Sequence, residues 1–252
     1  MNGTAVTSGW CSHVRRVGQA ACAGALLALR VADAATGAPP AASVRSIDIY
    51  VQPYYEAARQ PAAAPVVRVA KAWDAELASV RPDDVARVRD AIRADNAMVT
   101  PMTLMVLAIR LYDTGQRDDA VFWFYAAKYR YATLAEVAEV ASPALAQVAD
   151  AVRNFALLAG PAINGYAFCD VARQQEQNRA AARWVAANPY RALMLPQVPA
   201  RPGDRSENLA RAIAKIEAAV GAEQEKLARP AELAAFAATR HANGADAKYC
   251  WK

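Results

Sequence analysis

From residue 67 onward the apolar residues recur at helical spacing, and each stripe is bracketed by residues that start or stop helices. Val67, Ala70, Trp73, Asp74, Leu77 and Val80 mark one stripe, and Val85, Val88 and Ile92 follow the start signal Pro82-Asp83-Asp84. Thr100-Pro101 predicts an N-cap with proline at the first helical position, and Gly115 a terminator. The next helix is expected from Asp118 to about Tyr131. Ser142-Pro143 repeats the start signal, with Leu145, Val148, Val152, Phe155 and Leu158 expected inward until Gly160-Pro161 stops the helix and Asn164-Gly165 turns the chain. Asp170 predicts a cap for a helix carrying Val171, Ala181, Trp184 and Val185, ended by Asn188-Pro189. After a Pro-rich loop over 195–204, Ser206 is expected to cap a helix with Leu209, Ile213, Ile216 and Val220 inward. Pro230 starts a short last helix. Alanine, the best helix former, is the commonest residue. The expected fold is all-α, with antiparallel helical hairpins packed as a bundle or a short solenoid-like array.

Only Ile47, Ile49 and Val51, alternating with Asp48, Tyr50 and Gln52, show the period of a strand. Without a second such segment to pair with, this stretch is expected to lie extended across helices. Pro53 is expected to open a helical turn through Ala57.

The N-terminus reads as an address. Arg15-Arg16 precede an apolar run over 20–29, too short for the ~20 residues of a bilayer span. The small residues Ala32 and Ala34 flank Asp33, so cleavage between Ala34 and Ala35 is expected. The expected organisation is a signal peptide over 1–34, a flexible linker over 35–46, and one helical domain over 47–252. The mature protein would be periplasmic or secreted, with no transmembrane segment. Cys11 and Cys22 leave with the signal, so Cys169 and Cys250 remain, and an isolated pair in an exported protein predicts a disulfide. A loop that long is worth roughly 4 kcal/mol in the chain-entropy model.

Charge and motif content narrow the function classes. A formal net charge of +5 with no run of like charges does not form a nucleic-acid footprint. With His13 removed, His241 is the one histidine left, which argues against a multi-histidine metal site. No nucleophile elbow or Gly-rich phosphate loop is present, so no catalytic residue, metal or cofactor is assigned.

The segment over 102–112 is apolar nearly all round except for Arg110, and a tight turn joins it to the aromatic-rich segment over 118–127. Leu104, Leu107, Ala108, Leu111, Ala120, Phe124 and Ala127 recur in an order that resembles the tetratricopeptide repeat and its Sel-like relatives, over about 101–132. That resemblance implies a helical hairpin with Ala108, Ala120 and Ala127 at the close approach, and a role in holding peptides or proteins. Candidate partner-binding residues are Arg110, which needs an acid such as Asp118 or Asp119, the phenols of Tyr125 and Tyr129, and the turn residues Asn164 and Tyr166 beside Cys169. The reading is an exported, non-enzymatic helical protein that binds another macromolecule, as a periplasmic adaptor, inhibitor or immunity-type protein. The alternatives are a cell-envelope enzyme with a carboxylate pair and a small-ligand binder between helices.

Overall fold

The structure, a computed structural model, describes residues 72–250, all within the compact unit Ala41–Lys252. The proposed signal, linker, strand-like segment and first helical turn lie outside the described residues, as do Val67 and Ala70. The described chain is all-α. Its helices are α1 (Asp74–Ala78), α2 (Pro82–Ala94), α3 (Pro101–Asp113), α4 (Arg117–Val137), α5 (Ala146–Ala167), α6 (Val171–Ala187), α7 (Arg205–Ala228), α8 (Pro230–Ala242) and α9 (Ala245–Tyr249). A 3-10 turn, Arg191–Met194, lies between α6 and α7. One isolated antiparallel bridge joins Ala138 to Ala200.

Local chemistry explains several boundaries. The Thr100 hydroxyl accepts from the Thr103 amide at 3.0 Å, capping α3 ahead of Pro101. Gly115 takes φ +88°, a left-handed conformation natural to glycine, and lets the Gln116 amide reach back to the Leu111 carbonyl at 2.8 Å. Asp170 caps α6 by accepting from the Arg173 amide at 3.0 Å.

Helix α4 is the hub, packing against α3, α5, α6 and α7. Every residue from Pro101 to Tyr112 is buried, as the all-round apolar sequence of α3 requires. Ala108, Ala120 and Ala127 are fully buried, and α3 and α4 form an antiparallel hairpin across the Gly115 turn. Val85, Val88 and Ile92 face inward from α2 as expected.

Other boundaries differ from the sequence expectation. Helix α5 runs through both Gly160-Pro161 and Asn164-Gly165. The Pro161 ring and Leu157 are exposed, so the Leu157 carbonyl that loses its helical partner is on the solvent side, while the neighbours Ala159, Gly160, Ala162 and Ile163 are held by burial. At its other end α5 starts at Ala146, because residues 143–145 form turns on the Ser142 carbonyl. The buried face of α5 follows Ala149, Val152, Ala156, Ala159 and Ile163, with Phe155 beside it; that rotation leaves Val148 and Leu158 exposed rather than inward. Val80 likewise is exposed, because α1 ends at Ala78. Asp204, not Ser206, caps α7, accepting from the Ser206 and Glu207 amides at 2.8 and 3.0 Å. Helix α4 continues to Val137, past the expected end near Tyr131, since Thr133, Leu134 and Val137 are buried.

Cys169 and Cys250 are joined by a disulfide, with their Cα atoms 5.4 Å apart. It ties α9 to the C-terminal end of α5.

Candidate protein-interaction site

Arg110 projects from the otherwise apolar α3. Its Nε donates to the Leu77 carbonyl and its Nη2 to the Ser79 carbonyl, both at 2.9 Å, and its Nη1 to Asp113 at 3.2 Å. It therefore fastens the α1–α2 connection to α3. Asp118 and Asp119 do not reach it: Asp118 accepts from Tyr166 and from Arg173, and Asp119 from Arg89 and Arg93. The reason is geometric, since Asp113 lies one turn from Arg110 on the same helix, whereas both other acids open α4 and face α2, α5 and α6.

Tyr125, Tyr129 and Asn164 converge on a polar seam between four helices. The Tyr125 hydroxyl donates to Asn164 Oδ1 at 3.2 Å and accepts from Gln174 Nε2 at 2.8 Å. Gln174 and Asn178 donate to Glu223 Oε1 at 2.9 and 3.1 Å, and the Tyr129 hydroxyl donates to Asn178. The two phenol rings stack at 6.3 Å. Burial holds both phenols well above the usual tyrosine range, and in each case nearby Glu223 adds to the effect. Lys128 lies over the rings of Phe124 and Tyr125, its ammonium pushed down by burial and supported by Glu223. The seam cross-links α4, α5, α6 and α7 through hydrogen bonds among polar side chains that the core would otherwise strand, with Gln174 Oε1 left without a partner among the described residues.

Tyr166 stands elsewhere, at a shallow surface cleft with Asp118, Cys169, Asp170 and Arg173. Its hydroxyl donates to Asp118 at 3.1 Å, and its ring meets Tyr112 edge-on at 6.2 Å. The cleft encloses about 90 Å³, enough for a few waters and well under the several hundred Å³ of a typical organic-ligand pocket. Among the described residues no group of three or more His, Cys, Asp or Glu is placed to hold a metal ion.

A different arginine organises the most distinctive surface, and the sequence reading missed it. Arg130 sits within the buried stretch of α4, fully covered. Its Nη1 donates to the carbonyls of Asn96 and Val99 at 2.8 Å, and its Nη2 to the Asn188 carbonyl at 2.7 Å. The guanidinium also stacks on Trp184 at 4.8 Å and lies 5.8 Å from the ring of Tyr190. Burial lowers it to about 10, with Tyr190 opposing, so it stays charged at neutral pH. One side chain thus ties the α2–α3 loop to the start of the α6–α7 loop. The Arg191 amide adds a bond to the Ala97 carbonyl at 2.9 Å, and Asn96 to Asn188 another at 3.1 Å. Farther along, Arg205 Nη2 donates to the Val198 carbonyl at 2.7 Å, and the Glu139 amide to the Pro199 carbonyl at 2.9 Å.

These clamped loops hold apolar side chains in solvent: Met98 is 55% exposed, Met194 40% and Leu195 41%. The guanidinium of Arg191, one 3-10 turn before Met194, has no ion pair among the described residues. A signal for Arg130 was present, because a cation in a buried aromatic helix raises the same question as Arg110. Its acceptors were not legible, since they are three backbone carbonyls and the Asn96 side-chain oxygen, all in distant loops.

A protein of Haemophilus influenzae (strain ATCC 51907 / DSM 11121 / KW20 / Rd), described as an uncharacterized protein, is 31% identical over 211 residues, covering 82% of this chain and 80% of the relative. This chain belongs to that protein's family. The similarity over most of both chains means that the family shares far more than the α3–α4 hairpin. No family model matches this sequence, and no solved structure matches it. Among the described residues no helix is long and apolar enough to cross a membrane.

Proposed function

We propose that this member of the family is an exported, non-enzymatic helical protein that binds a protein partner through the clamped loops at residues 95–100 and 188–199. The observation that carries the reading is Met98, Met194 and Leu195 held in solvent by a buried arginine whose two terminal nitrogens donate to the two loops. Loops fixed on a rigid scaffold are where binding surfaces concentrate, and methionine adapts its shape to apolar partners. Arg191 gives the rim a positive charge with no ion pair among the described residues, so the fitting partner offers an apolar side chain bordered by acids. Export is supported by the Cys169–Cys250 disulfide, of a kind that persists in oxidising compartments, and by the basic-then-apolar N-terminus.

The test is an affinity capture from cell-envelope extract with the mature protein and with its Met194→Asp variant, the latter checked for native circular dichroism. A partner retained by the wild type and lost with the folded variant supports the reading. Capture that the substitution leaves intact, or no reproducible partner, contradicts it.

A further inference from the structure

The C-terminal arm, α8 and α9, contains no buried residue. A short set of contacts holds it down. Phe236 meets Phe168 edge-on at 4.9 Å, the Tyr249 ring presses on Gly165, and Arg240 Nη2 donates to the Gly165 carbonyl at 3.1 Å. The disulfide is the covalent member of that set.

Arg240 also faces the sulfurs. Its Nη2 lies 3.3 Å from Cys250 Sγ and 3.8 Å from Cys169 Sγ. Its side chain is only 11% exposed and pairs with Asp246, whose Oδ1 is 3.6 Å from Cys250 Sγ. A cation beside a sulfur stabilises the thiolate, and a stabilised thiolate is a better leaving group in disulfide exchange. Cys169 is exposed and borders the cleft of Tyr166 and Arg173, whereas Cys250 is partly covered by the arm.

We infer that the Cys169–Cys250 disulfide is an exchangeable latch on the C-terminal arm, opened by a dithiol reductant, with Arg240 holding the departing Cys250 sulfur. One thiolate of the dithiol attacks Cys169 Sγ, the Sγ–Sγ bond breaks, and Cys250 leaves as a thiolate beside Arg240. The second thiol of the reductant, once deprotonated, attacks its own sulfur in the mixed disulfide and releases Cys169 as a thiolate, which takes up a proton. The Cys250 thiolate takes up the other proton that the dithiol gave up, so the reductant ends as a disulfide and the protein as two thiols. Opening frees α8 and α9 and uncovers Phe168 and Gly165 on the end of α5.

The experiment uses dithiothreitol as the dithiol, with alkylation and mass spectrometry to follow the two cysteines at neutral pH. A leaving thiolate stabilised by a neighbouring cation departs roughly three- to tenfold faster, so Arg240→Gln should react that much more slowly than the wild type. Arg240→Lys, which keeps the charge, should recover part of the rate. In the reduced wild type, amide hydrogen exchange should quicken over residues 165–169 and 230–249 while α3 and α4 keep their protection. Equal or faster reduction of Arg240→Gln overturns the inference. So does a reduced wild type that keeps its arm protected, or one that loses protection throughout, either of which makes the bond a structural staple.

Discussion

The ring of Tyr249 fills the place where a side chain at Gly165 would stand. A Cβ at that position would lie 2.5 Å from Cγ and Cδ2 of the ring, closer than packed atoms approach. Gly165 is inside α5, where alanine is otherwise favoured over glycine by about 1 kcal/mol. The clash outweighs that gain, so Gly165→Ala is expected to destabilise the oxidised protein by roughly 1–3 kcal/mol in urea unfolding. Gly221 in α7 is the control: a Cβ there meets nothing within 4 Å, and Gly221→Ala is expected to stabilise by about 1 kcal/mol. In a Cys250→Ser background, where Tyr249 is free to leave, the Gly165→Ala penalty should shrink or change sign. A penalty unaffected by the loss of the disulfide would place its origin elsewhere.

Arg130→Met keeps much of the apolar stem while removing the donors to the Val99 and Asn188 carbonyls, and the Asn96 carbonyl keeps only its bond from the Val99 amide. Leaving such acceptors unsatisfied is expected to cost roughly 2–4 kcal/mol in all. The loss should be local, with amide exchange quickening over residues 95–100 and 188–199 and not around α1. Arg110→Met should show the converse, loosening the α1–α2 connection that Leu77 and Ser79 fix to α3. Indistinguishable exchange patterns would deny the two arginines separate roles.

Tyr125 predicts a specific alkaline behaviour. Its folded value is raised above the ordinary 10, so the folded state keeps a proton that the unfolded state gives up. That contribution is complete below pH 10 and is lost as the pH rises toward the folded value. Tyr125→Phe removes one such proton. Above about pH 10 its unfolding free energy should fall less steeply than that of the wild type, by about 1.4 kcal/mol per pH unit. Urea titrations at several alkaline pH values check this, and parallel slopes would mean that Tyr125 ionises in the folded protein as it does in water.

The parts of this fold that were legible in the sequence are those decided within a few residues. Thr100-Pro101, Gly115, Asp170 and Asn188 act through their own backbone and cap geometry, and their helices begin or end there. The signals that failed were overruled by burial at a distance. Pro161 is carried through α5 because its flanks pack on the core, and Gly165 serves as a seat for Tyr249 from the far end of the chain instead of a turn. The candidate site divides in the same way. Tyr125, Tyr129 and Asn164 were identifiable as polar groups needing partners, but Gln174, Asn178 and Glu223, which supply or complete the seam, come from helices whose neighbours only the fold reveals. Met98 and Met194 were unremarkable loop residues until Arg130 and the Arg191 amide brought their loops together.

The clamped loop surface can be interrogated in the cell. A photo-cross-linking phenylalanine analogue is placed singly at Met98, at Met194 and, as a control, at Ala218, which faces solvent on α7. The expected result is one discrete adduct of the same partner from positions 98 and 194 after irradiation, and none from position 218. Adducts from position 218 alone, or silence at both methionines in a protein that is exported and folded, would contradict the assignment of the Arg130-bound loops as the binding face.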